Sequence, residues 1–312
     1  MKSPVFTGAA TALITPLDEN GIDYNAFARL IDWQIESGIN ALVVCGTTGE
    51  SSTLTDAEHK KAIEFAVKQV NRRVPVIAGT GSNDAAYALE LTDFSCKAGV
   101  DGVLVVTPYY NKATQNGLFK LFTAIADKSS SPVILYNVPS RTGVNMAPET
   151  VARLSLHPNI NGIKEAGGSI SAVAETAQLC GDNINIYSGN DDQTVPIMSL
   201  GGKGCISVLS NLLPKETAEM CEKMLKGDTA GARRMQLDYL PLIKALFCEV
   251  NPIPVKQALA LEGLGAELST SVDWDAFRVG VGVPVGVLPR AVELMAEAAR
   301  TPLLDPANER IR

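Results

Sequence analysis

Apolar residues recur along the chain in short runs, each followed by a polar loop and then by a stretch whose apolar positions repeat with helical spacing. Runs at 8–14, 41–45, 75–78, 102–106, 132–136, 160–164, 184–188 and 204–208 predict strands. Between them, Phe27, Leu30, Ile31 and Ile35 share one face of a helix predicted over 24–37. Thr55 and Glu58 form a capping box that opens a helix carrying Ile63, Ala66 and Val70. A helix over 84–98 carries Tyr87, Leu91 and Phe94, and Leu118, Leu121, Phe122 and Ile125 mark the next. Pro148 suits the first turn of a further helix, because the N–H it lacks has no partner there. Ile170, Val173 and Ala177 mark another, and residues 189–192 open one more.

The spacing between successive runs leaves room for a helix in every crossover. Runs this apolar need cover on both faces, the habit of parallel sheets. Eight such strand–helix units predict a closed (β/α)8 TIM barrel. An open doubly wound sheet ranks below it, since no Gly-x-Gly-x-x-Gly follows the first strand. Past residue 208 the pattern turns helical, at 215–226, 229–247 and 252–262. The expected division is therefore 1–210 for the barrel and 211–312 for a C-terminal helical extension, whose end after about 265 is atypical. There, 279–287 is apolar but broken by Gly and Pro, neither a clean strand nor a helix, and 289–300 reads as an amphipathic helix.

At 312 residues, 46% hydrophobic and 20% charged, the chain can bury a large core. Its six cysteines include no Cys-x-x-Cys pair and several sit in apolar runs, which predicts reduced thiols and a cytoplasmic setting. The start carries no leader pattern, and no apolar run has the length of a membrane span. A net charge of −7 argues against nucleic acid as a partner, although a locally positive pocket could still take a small anion.

In such a barrel the residues just after each strand meet at one mouth. They are Thr47, Thr48 and Glu50, Tyr109 and Tyr110, Tyr136 and Arg141, Lys164, Gly189 and Asp191, and Ile206. The set holds no histidine: His59 is near a helix start and His157 is in a turn. No metal site, cofactor or Ser-His-Asp system is expected. A lysine among hydroxyls suits carbonyl chemistry instead. At its ordinary pKa of ~10.4 an amine is protonated, and a desolvating pocket or a nearby cation frees its lone pair for attack on a ketone. A tyrosine backed by a second hydroxyl can carry the protons, and an arginine can clamp a carboxylate with two hydrogen bonds. A phosphate-binding, non-catalytic barrel is a different possibility, resting on Gly-Gly-Lys-Gly at 201–204, but that loop precedes the last strand and so lies at the wrong end.

Four motifs in order carry a resemblance: Gly-Thr-Thr-Gly-Glu at 46–50, Pro-Tyr-Tyr-Asn at 108–111, Tyr-Asn-Val-Pro-Ser-Arg-Thr-Gly at 136–143 and Gly-Ile-Lys-Glu-Ala at 162–166. Together they resemble the dihydrodipicolinate synthase family of the pyruvate-dependent class I aldolase superfamily. The likeness runs from about residue 8 to 261. It implies condensation of pyruvate with aspartate semialdehyde in lysine biosynthesis, by a homotetramer or homodimer. Carried over by motif, Lys164 forms the Schiff base, Tyr136 moves protons, and Thr47 and Tyr110 complete a relay, Tyr110 in a neighbouring subunit's site. Thr48, Ile206 and Gly189 then hold pyruvate, and Arg141 holds the aldehyde's carboxylate. Arg141 also favours the synthase over the sialic-acid lyases and sugar-acid aldolases of the superfamily. An allosteric lysine site in the family maps to Ser51, Ser52, His59, Asn83 and Tyr109, but Tyr87 and Asp56 stand where a glutamate and a histidine are expected.

Overall fold

Strand β1 (Gly8–Ala12) is followed by a small antiparallel ribbon of β2 (Leu17–Asp18) and β3 (Gly21–Ile22). Then come β4 (Ala41–Val44), β5 (Val76–Gly79), β6 (Gly102–Val106), β7 (Val133–Asn137), β8 (Ile160–Glu165), β9 (Asn185–Ser188) and β10 (Gly204–Ser207). A computed structural model describes residues 2–262, 267–273 and 276–282 of the chain. Strands β1 and β4 to β10 pair in parallel and in sequence, and β10 returns to β1 to close an eight-stranded barrel. This is the (β/α)8 architecture that the strand spacing predicts.

Alternation along the strands sorts the core into two populations. Inward-pointing Ala10, Ala12, Ala41, Val43, Ile77, Leu104, Ile134 and Ile206 pack with Tyr136 and Tyr187 inside the barrel. Outward-pointing Leu42, Val44, Val103, Val105, Leu135 and Ile163 pack beneath the helices. Alanines on β1 and β4 offset the bulk of tyrosines on β7 and β9, so that small and large side chains share the interior. Phe6 closes the lower end: its ring stacks on Tyr187 at 4.4 Å, and the Tyr187 hydroxyl donates to the Phe6 carbonyl at 2.9 Å. Gly162 permits this, since a Cβ there would come within 3.1 Å of the Tyr187 ring.

The covering helices are α1 (Tyr24–Glu36), α2 (Asp56–Val70), α3 (Ala85–Ala98), α4 (Gln115–Lys128), the short α5 (Pro139–Thr142), α6 (Pro148–Ser155), α7 (Ile170–Cys180), α8 (Thr194–Ser199) and α9 (Pro214–Leu225). They start where the sequence supplies caps. Asp23, Thr55, Asp84, Thr114 and Ser169 each accept from the first-turn N–H groups, and the Thr55–Glu58 capping box is present in both directions. Their apolar stripes, such as Phe27 and Ile31 or Leu118, Phe122 and Ile125, are buried on the barrel. α5 occupies part of what reads as a loop, with Pro139 at its start.

The chain falls into two compact units, one running through Leu237 and the other beginning at Asp238. Helix α9 and nearly all of α10 (Thr229–Asp238) lie within the first of these units. The single helix expected over 229–247 is two, α10 and α11 (Leu240–Leu246), because Pro241 lies in the first turn of α11, where it cannot continue a preceding helix. Helix α12 (Ile253–Glu262) follows. The second unit is not wholly helical. β11 (Glu267–Asp273) and β12 (Ala276–Gly282) form an antiparallel hairpin with Glu267 opposite Gly282 and Asp273 opposite Ala276. The helix expected over 289–300 lies outside the described residues. Among the described residues no helix is long and apolar enough to cross a membrane.

Candidate active site

Position in the strands decides which side chains face the mouth. Tyr136, Lys164 and Tyr187 stand side by side in the registers of β7, β8 and β9, all pointing inward. Tyr187 forms the floor with Phe6, and Lys164 sits next to Tyr136 near the C-terminal rim. Lys164 is 5% exposed and Tyr136 6%. The lysine Nζ lies 4.4 Å from the centroid of the Tyr136 ring. Among the described residues that amine makes no hydrogen bond or ion pair. Room for the lysine comes from Gly189, where a Cβ would fall 3.0 Å from Lys164 Cγ and 2.9 Å from Ala166 Cβ. The Gly189 N–H donates to the Glu165 carbonyl at 2.7 Å, which fixes the close approach.

The loop after β4 is a tight turn with Cys45 and Glu50 at positive φ. Thr15 pins it by donating its hydroxyl to the Gly49 carbonyl at 2.7 Å. Thr48 is buried and Thr47 half-buried on this turn. Ile206 is buried in β10 with Ala10 as its register partner in β1. Tyr109 is half-buried, whereas Tyr110, at a φ of 69°, is 87% exposed. Arg141 is exposed on α5, whose Thr142 hydroxyl is met by that of Thr107 at 3.1 Å. Of the residues expected at the mouth, the strand ends thus bring together Lys164, Tyr136 and Gly189, while Tyr110 and Arg141 are exposed, Tyr110 after β6 and Arg141 on α5.

The residues assigned to an allosteric site divide. Ser51 and Asn83 are half-buried and Ser52 exposed. The Asn83 carbonyl accepts from Asn111 Nδ2 at 2.8 Å, joining two mouth loops. His59 is buried in α2, where its Nε2–H donates to the Gly79 carbonyl at 2.9 Å. Burial holds its pKa below the ordinary 6.5, partly offset by the Gly79 bond and by Asp56.

Two polar residues were not legible as parts of the site. Asn137 and Glu165 follow Tyr136 and Lys164 and point to the opposite face of their strands. Asp191 appears in the expected mouth set without a role. Its carboxylate is buried and accepts the N–H groups of Val208 and Leu209 at 3.0 Å each, tying the loop after β9 to the end of β10. Gln236 of α10 donates to the Asp191 carbonyl at 2.8 Å. Burial pushes the Asp191 carboxyl above its ordinary range, against the pull of Ser207, the two N–H groups and the Lys164 charge. Glu165 is likewise pushed up by burial, against the Asn137 amide and the N–H groups of Gly167 and Ala166. The Gly-Gly-Lys-Gly loop at 201–204 precedes β10 and so lies at the other end of the barrel. At that end there is also a cavity of about 700 Å³, lined among others by Asn40, Lys215, Lys223 and Lys226. Two of its lysines are engaged by neighbouring carboxylates, Lys223 by Glu219 and Asp228, and Lys226 by Glu222.

A closed (β/α)8 barrel with a sheltered lysine and a tyrosine at its C-terminal rim defines a barrel enzyme built for carbonyl chemistry. Residues 5–270 match the sequence profile described as the Dihydrodipicolinate synthetase family. A relative named 4-hydroxy-tetrahydrodipicolinate synthase, from Acetivibrio thermocellus, is 51% identical over 264 residues, covering 85% of this chain and 90% of its own. The crystal structure of dihydrodipicolinate synthase from Aquifex aeolicus superposes with a TM-score of 0.82 at 40% identity, over 96% of this chain and 100% of that one. That of the chloride-inhibited enzyme from Acinetobacter baumannii, complexed with pyruvate, gives 0.81 at 38% identity, over 94% and 99%. The chain belongs to the dihydrodipicolinate synthetase family.

Proposed function

We propose that this chain condenses pyruvate with L-aspartate 4-semialdehyde to 4-hydroxy-tetrahydrodipicolinate, the first committed step of diaminopimelate and lysine biosynthesis. The observation that carries the reading is the inward-facing Lys164, 5% exposed, with its amine 4.4 Å from the Tyr136 ring. The relatives' name supplies the product, a neighbouring structure holds pyruvate, and the family resemblance implies the semialdehyde. In this scheme the Lys164 amine adds to the keto carbon of pyruvate and water leaves, giving an imine. Its protonated form withdraws electrons from the neighbouring methyl carbon, which loses a proton to become an enamine. The enamine carbon then attacks the aldehyde carbon of the semialdehyde, and the new oxyanion takes a proton. Finally the semialdehyde's own amine attacks the imine carbon, closes the ring and expels Lys164.

Tyr136 carries the protons of these steps, relayed through Thr47 and Tyr110. Tyr110 joins the relay from a neighbouring subunit of a homodimer or homotetramer, a role supported by its 87% exposure. Thr48, Gly189 and the Ile206 backbone hold pyruvate, and Arg141 takes the semialdehyde's carboxylate as a bidentate partner. Borohydride reduction in the presence of pyruvate tests the reading. The peptide containing Lys164 should gain a pyruvate-derived mass, and the Lys164→Met variant should show neither the adduct nor turnover. An unmodified peptide from a protein that still turns over would overturn it.

A further inference from the structure

The two residues that follow the proposed base and nucleophile share one hydrogen-bond network. Tyr136 is opposite Lys164 in the β7–β8 register, so Asn137 is opposite Glu165. Because side chains alternate, the second pair points away from the barrel interior, behind the reacting pair. Both are buried, Asn137 at 2% and Glu165 at 8% exposure. Asn137 Nδ2 is 3.1 Å from each Glu165 carboxylate oxygen, and Glu165 Oε1 also accepts the Gly167 N–H at 2.6 Å. The same Nδ2 donates to Asn145 Oδ1 at 2.8 Å, and Asn137 Oδ1 accepts the Met146 N–H at 3.0 Å. The segment 138–146, which carries Arg141 on α5, is thereby fastened at its far end to the tips of both strands.

A buried carboxylate is a costly way to hold a loop unless its chemistry matters. No ion pair to Glu165 occurs among the described residues. What an ionised carboxylate supplies, and an amide does not, is an acceptor with no donor. It accepts the Asn137 NH2 while the Met146 N–H holds the Asn137 oxygen, and the two contacts agree on which way that amide faces. A glutamine at this position would keep one acceptor oxygen and set its NH2 against the Asn137 NH2 or the Gly167 N–H, donor facing donor, so one contact of the network would be lost.

We propose that Glu165, acting through Asn137, is a positioning residue: it registers the loop bearing Arg141 against the rim that holds Lys164 and Tyr136, and so governs capture of the second, carboxylate-bearing substrate. This rests on the synthase reading above. It separates two functions of the mouth, since pyruvate reaches Lys164 without the loop, whereas the aldehyde needs it.

The test combines Glu165→Gln with the exchange of Asn137→Asp and Glu165→Gln in one protein. In the exchange, donor and acceptor trade sides, and the carboxylate introduced on β7 still accepts from the Met146 N–H. Borohydride trapping with pyruvate and steady-state kinetics with aspartate semialdehyde are read on each folded variant. Glu165→Gln should trap pyruvate like the wild type while its KM for the semialdehyde rises about tenfold, the scale of one hydrogen bond to a charged group. The exchange should bring that KM back to within roughly threefold of the wild type. An unchanged KM, a parallel loss of trapping and semialdehyde use, or an exchange no better than the single variant would overturn the proposal. Should Glu165→Gln not fold, Asn145→Ala removes only the loop end of the network; a raised KM with trapping intact supports the proposal and an unchanged KM refutes it. Wild-type protein that traps no pyruvate would instead refute the synthase reading.

Discussion

Gly189 is the residue on which the fit of the reactive amine depends. The atoms around its missing side chain are Lys164 Cγ at 3.0 Å, Ala166 Cβ at 2.9 Å and the Glu165 carbonyl at 3.1 Å, none at the loose end of a flexible chain. Gly189→Ala should cost about 1–3 kcal/mol in urea unfolding, as overpacking does. By displacing the base of the Lys164 side chain, it should also slow formation of the pyruvate adduct roughly tenfold or more, measured by quenching with borohydride over time. An adduct forming at the wild-type rate would show that the lysine does not need this space. At this scale the sequence is a good guide to groups that end an apolar run. Lys164 and Tyr136 stand out there, because a polar residue terminating a buried strand needs a reason. Asn137 and Glu165 give no such signal. One step further along, a polar residue reads as the start of a solvated loop, and only the pairing of β7 with β8 reveals that the two face each other under cover.

Helix α2 carries both a start signal and a buried titratable group. Its capping box satisfies the N–H of Glu58 with the Thr55 hydroxyl at 3.3 Å and the N–H of Thr55 with the Glu58 carboxylate at 2.9 Å. Thr55→Ala should lower the unfolding free energy by about 1 kcal/mol with little effect on turnover. A loss below a few tenths would mean that the helix end is held by tertiary contacts alone. Helices with such caps and a regular apolar stripe were legible to within a few residues. The exceptions have physical causes. Pro241 splits what its neighbours' periodicity presents as one helix, since periodicity does not register a missing N–H. The hairpin of β11 and β12 is masked differently. Glycines weaken the alternation of its second strand, and the first is rich in short polar residues that read as loop.

The barrel as a whole is held by strand closure and by the packing of each helix on it, and His59 lies in that packing. Burial keeps its folded-state pKa below 6.5. As pH falls through the unfolded value, the unfolded chain takes up a proton that the folded one refuses, so stability declines with falling pH. The contribution is complete above about pH 7.5 and is lost at up to about 1.4 kcal/mol per pH unit between the unfolded and folded pKa values. In urea titrations between about pH 7.5 and about pH 5, His59→Asn should flatten this part of the profile. Parallel profiles for variant and wild type would mean that the buried ring is not the group responsible. Barrel closure was legible because eight apolar runs at crossover spacing admit few other arrangements. The floor of Phe6 on Tyr187 was not, because nothing in the local pattern ties residue 6 to residue 187. That floor has a kinetic meaning. A vessel stoppered below by two stacked rings has its traffic at the other end, so the water shed as the keto acid is anchored leaves by the route the aldehyde takes in.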